Sequence, residues 1–158
     1  MPMVPTPLPG SVLFACDLNA VRSAMAEGLM KQMFGDRVYV DSAGVTASEV
    51  DPFAVAAMAE IGIDISRHKA KSLDDLADNS FDLVISLSPR AQHAAVEMTR
   101  TMACEIEYWS TQDATDVQGS RDQRMDAYRA VRDHLRQRIV ERFGEPPLRA
   151  DVPARAHA

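Results

Sequence analysis

The sequence is poor in cysteine and histidine, has no long apolar run, and carries less positive than negative charge. Of 158 residues only Cys16 and Cys104 are cysteine, so no disulfide framework can form. That scarcity suits a reducing compartment, and a cytoplasmic location is expected. The four histidines, His68, His93, His134 and His157, show no metal-ligand spacing, so no metal and no other cofactor is expected. No uninterrupted apolar stretch is long enough to span a bilayer. The start, MPMVPTPLPG, lacks the basic beginning and apolar core of a secretory signal. A net charge of −6 argues against nucleic acid and anionic membrane surfaces as partners. What remains, at 46% hydrophobic content and without internal repeats, is one domain large enough to bury a core.

The most informative stretch is Ser11 to Phe34, SVLFACDLNAVRSAMAEGLMKQMF. Val12-Leu13-Phe14-Ala15 reads as a short apolar strand that runs into a tight loop and then a helix. Five residues separate Cys16, at the start of the loop, from Arg22, which is followed by Ser23. A loop at a helix N-terminus aims several backbone N–H groups at one point, and the helix dipole adds partial positive charge. That arrangement suits a tetrahedral oxyanion, and the same field favours the thiolate form of a cysteine, its nucleophilic form. Arg22 can hold two oxygens of the anion through its planar guanidinium.

The rest of the chain supplies a frame for this loop. Met1 to Gly10, with four prolines, is expected as an extended arm. Met25, Leu29, Met30 and Met33 fall at helical spacing and belong to a core. Val38 to Val40 reads as a second strand, ending in Asp41-Ser42-Ala43-Gly44. Asp51-Pro52 is an N-cap with proline in the first turn of a helix to about Ile61, with Ile61 inward. Ser72 to Asp75 has the pattern of a capping box. Phe81 to Leu87 reads as a strand buried on both faces, and Ser88-Pro89 opens another helix. Cys104, Ile106 and Tyr108 alternate with Glu105 and Glu107, as in a half-exposed edge strand. Ser120 with Gln123 caps a last helix whose apolar stripe is Met125, Tyr128, Val131, Leu135, Ile139 and Phe143. Its arginines interleave with acids and are expected on a solvated face. The domain is thus expected over residues 11–143, with a loose tail over 144–158. Four strands alternating with helices predict an α/β fold: a four-stranded parallel sheet with helices on both faces and a phosphate-binding loop after the first strand.

Together these motifs resemble the low-molecular-weight protein tyrosine phosphatase family, which includes one class of arsenate reductases. The family pattern C-x-G-N-x-C-R-S stands here as Cys16-Asp17-Leu18-Asn19-Ala20-Val21-Arg22-Ser23, followed by Ala24-Met25-Ala26-Glu27. Asp41 to Gly44, Ile61 to His68 and Phe81 to Ile85 match further stretches. The resemblance implies that Cys16 attacks phosphorus and forms a phosphocysteine. Arg22 and the loop amides of residues 17–23 would bind the oxyanion, with Ser23 hydrogen-bonded to the thiolate. Asn19, supported by Ser42, would hold the loop's backbone shape. Asp113 falls where the family has its general acid, with Asp116 in reserve.

Four departures from the pattern bear on activity. Leu18 replaces a glycine, which predicts a strained loop. Asp17 puts a negative charge beside the anion site. Val21 replaces a second loop cysteine, so Cys16 has no disulfide partner there. Ala114 replaces a proline, which predicts a less rigid acid loop. Between Gly44 and Asp51 there is no aromatic residue to stack on a phenyl ring, and the small Ala20 leaves substrate choice open.

The implied partner is a phosphorylated protein or a small phosphate or arsenate oxyanion. The expected function is that of a cysteine-dependent phosphatase. The alternatives are an arsenate reductase that uses an external thiol, since no cysteine lies between Ser86 and Glu97, or a non-catalytic phosphate-binding regulatory module.

Overall fold

The computed structural model describes residues 8–76 and 80–146. Most of the arm expected over 1–10 and of the tail expected over 144–158 lies outside these residues. Strands β1 (Ser11–Cys16), β2 (Tyr39–Gly44), β3 (Leu83–Ser86) and β4 (Glu105–Tyr108) alternate with helices α1 (Arg22–Phe34), α2 (Pro52–Ala59), α3 (Pro89–Met98) and α4 (Arg121–Phe143). All strand pairs are parallel, in the order β2-β1-β3-β4. The fold is the α/β sheet expected from the sequence.

Alternation along β1 explains why the sheet is covered on both faces. Val12, Phe14 and Cys16 join the larger core with α1, α2 and α4. Leu13 points the other way and packs with Ala43, Phe81, Val84 and Ala95 of α3. β1 has partners on both sides, and the chain leaves it first toward β2 and later returns to place β3 on its other flank. The topological switch point therefore falls at the carboxyl end of β1, where ligands of such sheets bind. Cys16 is the last residue of that strand.

Three helix starts obey their sequence signals. The Asp51 carboxylate accepts the Phe53 N–H at 2.8 Å, ahead of which stands Pro52. Ser88 Oγ accepts the Ala91 N–H at 3.2 Å. Ser120 and Gln123 form the reciprocal capping box, at 3.1 and 2.8 Å.

Elsewhere the structure corrects the expectation. The Ser72 hydroxyl donates to the Asp75 carboxylate at 2.9 Å instead of capping a backbone N–H, and only a single 3₁₀ turn, Leu73–Asp75, forms after it. α2 ends at Ala59, which leaves Ile61 in the turn before Gly62 and exposed. Tyr108, at the carboxyl end of the edge strand, is also exposed rather than inward. Arg132 is buried on α4, where it donates to the Ala57 carbonyl at 2.7 Å and to Glu60 at 2.9 Å, tying α4 to the C-terminus of α2. Helical periodicity assigns all the α4 arginines to the solvent because it cannot see which carbonyls end a neighbouring helix.

Candidate active site

The cradle is built by fixing the carbonyl side of the β1–α1 loop. The segment after β2 donates to the loop oxygens: Val45 N–H to Cys16 at 2.9 Å, Thr46 N–H to Asp17, Ser48 N–H to Leu18 and Asp51 N–H to Ala20, each of these at 3.0 Å. With its carbonyls turned to that segment, the loop offers its amide side to the pocket. Such an approach is possible because residue 44 is glycine. A Cβ there would lie 2.2 Å from the Thr46 carbonyl oxygen and 2.7 Å from the Asn19 nitrogen. This is the physical content of the Asp41-Ser42-Ala43-Gly44 motif. Val21, the residue before α1, gives its first turn no side-chain cap, so the first N–H groups of the helix remain available at the same place.

Asn19 holds the loop. Among the described residues it is the only non-glycine residue with positive φ, at +56°. Leu18 is therefore not in the left-handed region, and the strain expected from the missing glycine is absent; its exposed side chain forms part of the rim. Asn19 is fully buried, and its amide is saturated. Nδ2 donates to Ser23 Oγ at 2.8 Å and to Ser42 Oγ at 2.9 Å. Oδ1 accepts the Lys71 N–H and the His68 Nε2–H, both at 3.1 Å, and the latter also reaches the Asn19 carbonyl at 3.0 Å. Because both partners of His68 Nε2 are carbonyl oxygens, that nitrogen carries the proton. Ser42 in turn donates to Glu27, whose carboxylate lies 3.7 Å from His68 Nδ1 and also pairs with Lys31. Sequence reasoning gave Glu27 no role. A signal was available, since Ser23 and Glu27 are four apart and so share a face of α1.

Two donors converge on the sulfur. The Asn19 N–H lies 3.3 Å from Cys16 Sγ, and Ser23 Oγ lies 2.9 Å from it. Ser23 Oγ already accepts from Asn19, so its own hydrogen is free to point at Sγ. Arg22 is buried, with Nη1 donating to the Thr111 carbonyl at 3.2 Å. Its Nη2 lies 3.6 Å from Asp17 and 3.7 Å from Asp113. Asp113 is held from the other side, since its Oδ1 accepts the Thr115 N–H at 2.9 Å and the Thr115 hydroxyl at 2.6 Å. These bonds orient the Asp113 carboxylate within its own loop.

One pocket collects residues from all four loops at this end of the sheet. Cys16, Asp17 and Arg22 line it with Glu49 and Asp51 from the β2–α2 loop, Arg90 from the start of α3, and Asp113. Leu18, Ala20, Val21, Val50 and Pro52 form its apolar surface, and among the described residues no aromatic side chain lines it. Asp116 is exposed and outside the pocket. Trp109, left undecided by the sequence, is buried edge-on against Phe14 with centroids 6.0 Å apart and belongs to the core. Cys104 precedes β4, so it stands at the opposite end of the sheet from Cys16. Among the described residues, no cluster of three or more His, Cys, Asp or Glu is placed to hold a metal ion.

Strand, loop, buried arginine and sulfur define an α/β domain with an oxyanion cradle that has a cysteine at its base. The chain belongs to the low molecular weight phosphotyrosine protein phosphatase family, whose sequence model matches residues 11–149. It is 37% identical over 130 residues to an arsenate reductase of Bacillus subtilis, covering 82% of this chain and 92% of that protein. A solved arsenate reductase in its oxidized state is 30% identical, with a TM-score of 0.71 over 85% of this chain and 96% of that one. The arginine phosphatase YwlE, solved as a cysteine-to-serine mutant with a phosphorylated active-site serine, is 28% identical, with a TM-score of 0.65 over 80% of this chain and 89% of that one.

Proposed function

We propose that the protein is a cysteine-dependent phosphatase acting on a phosphomonoester or a similar phosphoryl group. The observation that carries this reading is the convergence of Cys16, Arg22 and Asp113 in one pocket, with Asp113 3.7 Å from the arginine that would bind the oxyanion. Substrate oxygens take the Arg22 guanidinium and the loop amides, which stabilise the charge of the transition state. Cys16 Sγ forms a bond to phosphorus while the bond to the leaving oxygen breaks, and Asp113 gives that oxygen a proton. Water then attacks phosphorus and passes a proton to Asp113, and the S–P bond breaks to return Cys16, whose departing charge Ser23 stabilises. The aliphatic lining supports small or non-aromatic substrates better than a stacked phosphotyrosine ring.

The second reading is arsenate reduction, and the names borne by the curated relatives favour it. Cys104 is too remote to receive oxidation from Cys16, so that chemistry here requires an external thiol. Arsenate would form a Cys16–S–As(V) adduct with loss of water. An external thiol would attack the sulfur, leaving arsenite and a mixed disulfide that a second thiol reduces. Steady-state hydrolysis of a small aryl phosphate, beside arsenate reduction with added glutathione, tests the choice. Hydrolysis by the wild type that is lost in Cys16→Ser supports the first reading. Thiol-dependent arsenite production without hydrolysis replaces it with the second.

A further inference from the structure

Asp17 is the residue that the cradle's chemistry does not explain. Asp113 has a part in the proposed chemistry and Glu49 and Asp51 stand on the β2–α2 loop, whereas Asp17 comes directly after the nucleophile and lines the same pocket. Nor is it turned away. Its Oδ2 lies 3.6 Å from Arg22 Nη2, on the guanidinium that would hold the substrate. Its Oδ1 accepts the Ser88 hydroxyl at 2.7 Å, and its carbonyl accepts the Thr46 N–H at 3.0 Å. Ser88 is itself fixed as the N-cap of α3. The carboxylate is thus clamped between α3 and the catalytic arginine, and it cannot leave when an anion arrives without breaking both contacts.

From this we infer that Asp17 is a specificity-determining residue, a fixed counter-charge that lowers the cradle's affinity for doubly charged oxyanions more than for singly charged ones. A singly charged oxyanion meets a cradle in which Arg22 and the amides outweigh Asp17. A doubly charged one meets the same cradle with an added like-charge repulsion at short range, in a pocket less screened than bulk water. The inference rests on the oxyanion-site reading, which the phosphatase and reductase mechanisms share.

Direct titration of inorganic phosphate by calorimetry tests it without requiring turnover, at about pH 5.5 and about pH 8.5. The proteins are the wild type, Asp17→Asn and Ser88→Ala. Cys16, Arg22, Arg90, Glu49, Asp51 and Asp113 also face the pocket and are common to all three, so the ratio between variants isolates the charge at position 17. Asp17→Asn is expected to bind phosphate about tenfold more tightly than wild type at the higher pH and about threefold more tightly at the lower. Ser88→Ala keeps the carboxylate but removes one of the two contacts that fix it, and its gain at the higher pH is expected to fall between wild type and Asp17→Asn. Equal effects of Asp17→Asn at both pH values, or no effect, overturn the inference. So does a Ser88→Ala protein whose change in affinity is the same at both pH values, which would make the pair a structural tie between loop and helix. If none of the three folded proteins binds phosphate at either pH, the oxyanion-site reading itself fails.

Discussion

At the scale of single residues, Asn19 shows why one amino acid is required at a position that does not line the pocket. Its backbone needs positive φ, and its amide satisfies four separate groups in a dry environment. Asn19→Ala meets neither need and leaves Ser23, Ser42 and the Lys71 N–H short of a partner. It is expected to destabilise the protein by about 3 kcal/mol, read as a lower denaturant midpoint at unchanged slope. Gly44→Ala drives a methyl group into backbone on two sides, and backbone cannot step aside as a long side chain can. Its expected outcome is loss of oxyanion binding together with lower stability, checked by phosphate titration and thermal unfolding. For Asp113→Asn, removal of the proposed proton donor is expected to lower aryl phosphate hydrolysis by about 10²-fold or more. The loss should shrink when the leaving group is a more acidic phenol, which needs less protonation. Cys16 and Arg22 were legible in the sequence because their spacing falls between an apolar strand and the start of a helix. Arg90 was not, because an exposed arginine at a helix start looks the same whether or not a pocket opens beside it.

At the scale of elements, the local signals that worked were those whose partners are close in sequence. Asp51, Ser88 and Ser120 each cap the next helix, and the N–H groups they accept lie two or three residues away. Arg132 and Glu60 failed the same reasoning because their contact joins α4 to the end of α2. Arg129 and Arg132 both donate to Glu60 and hold its carboxyl well below the usual range, from 4.5 down to about 2. A lowered folded-state value means that the ionised pair supports folding above the unfolded value and that this support is lost as pH falls through the folded one. The stability gap between wild type and Glu60→Gln is therefore expected to be constant above about pH 5 and to close between about pH 4.5 and pH 2. Urea midpoints measured across that range check it. A gap that persists at the acid end contradicts the assignment.

At the scale of the whole molecule, the sheet order accounts for the position of the site, since the switch point beside β1 draws all four loops to one end. The parallel sheet was legible from four apolar stretches alternating with helices, and the cradle from the loop that joins β1 to α1. The tie from residues 66–72 back under the loop was not, because His68 and Lys71 reach Asn19 across about 50 positions of sequence. That long-range frame, with the Gly44 approach, is what turns a cysteine and an arginine six positions apart into a chemical site. The most direct measurement is rapid-quench peptide mapping of the folded protein mixed with an aryl phosphate whose phenol is acidic enough to leave unprotonated, using Asp113→Asn to slow the second step. The expected result is a phosphoryl group on the peptide that contains Cys16, formed together with a burst of the released phenol. A free, unmodified Cys16 thiol at every quench time, in folded protein that binds phosphate, would contradict phosphatase chemistry at this site.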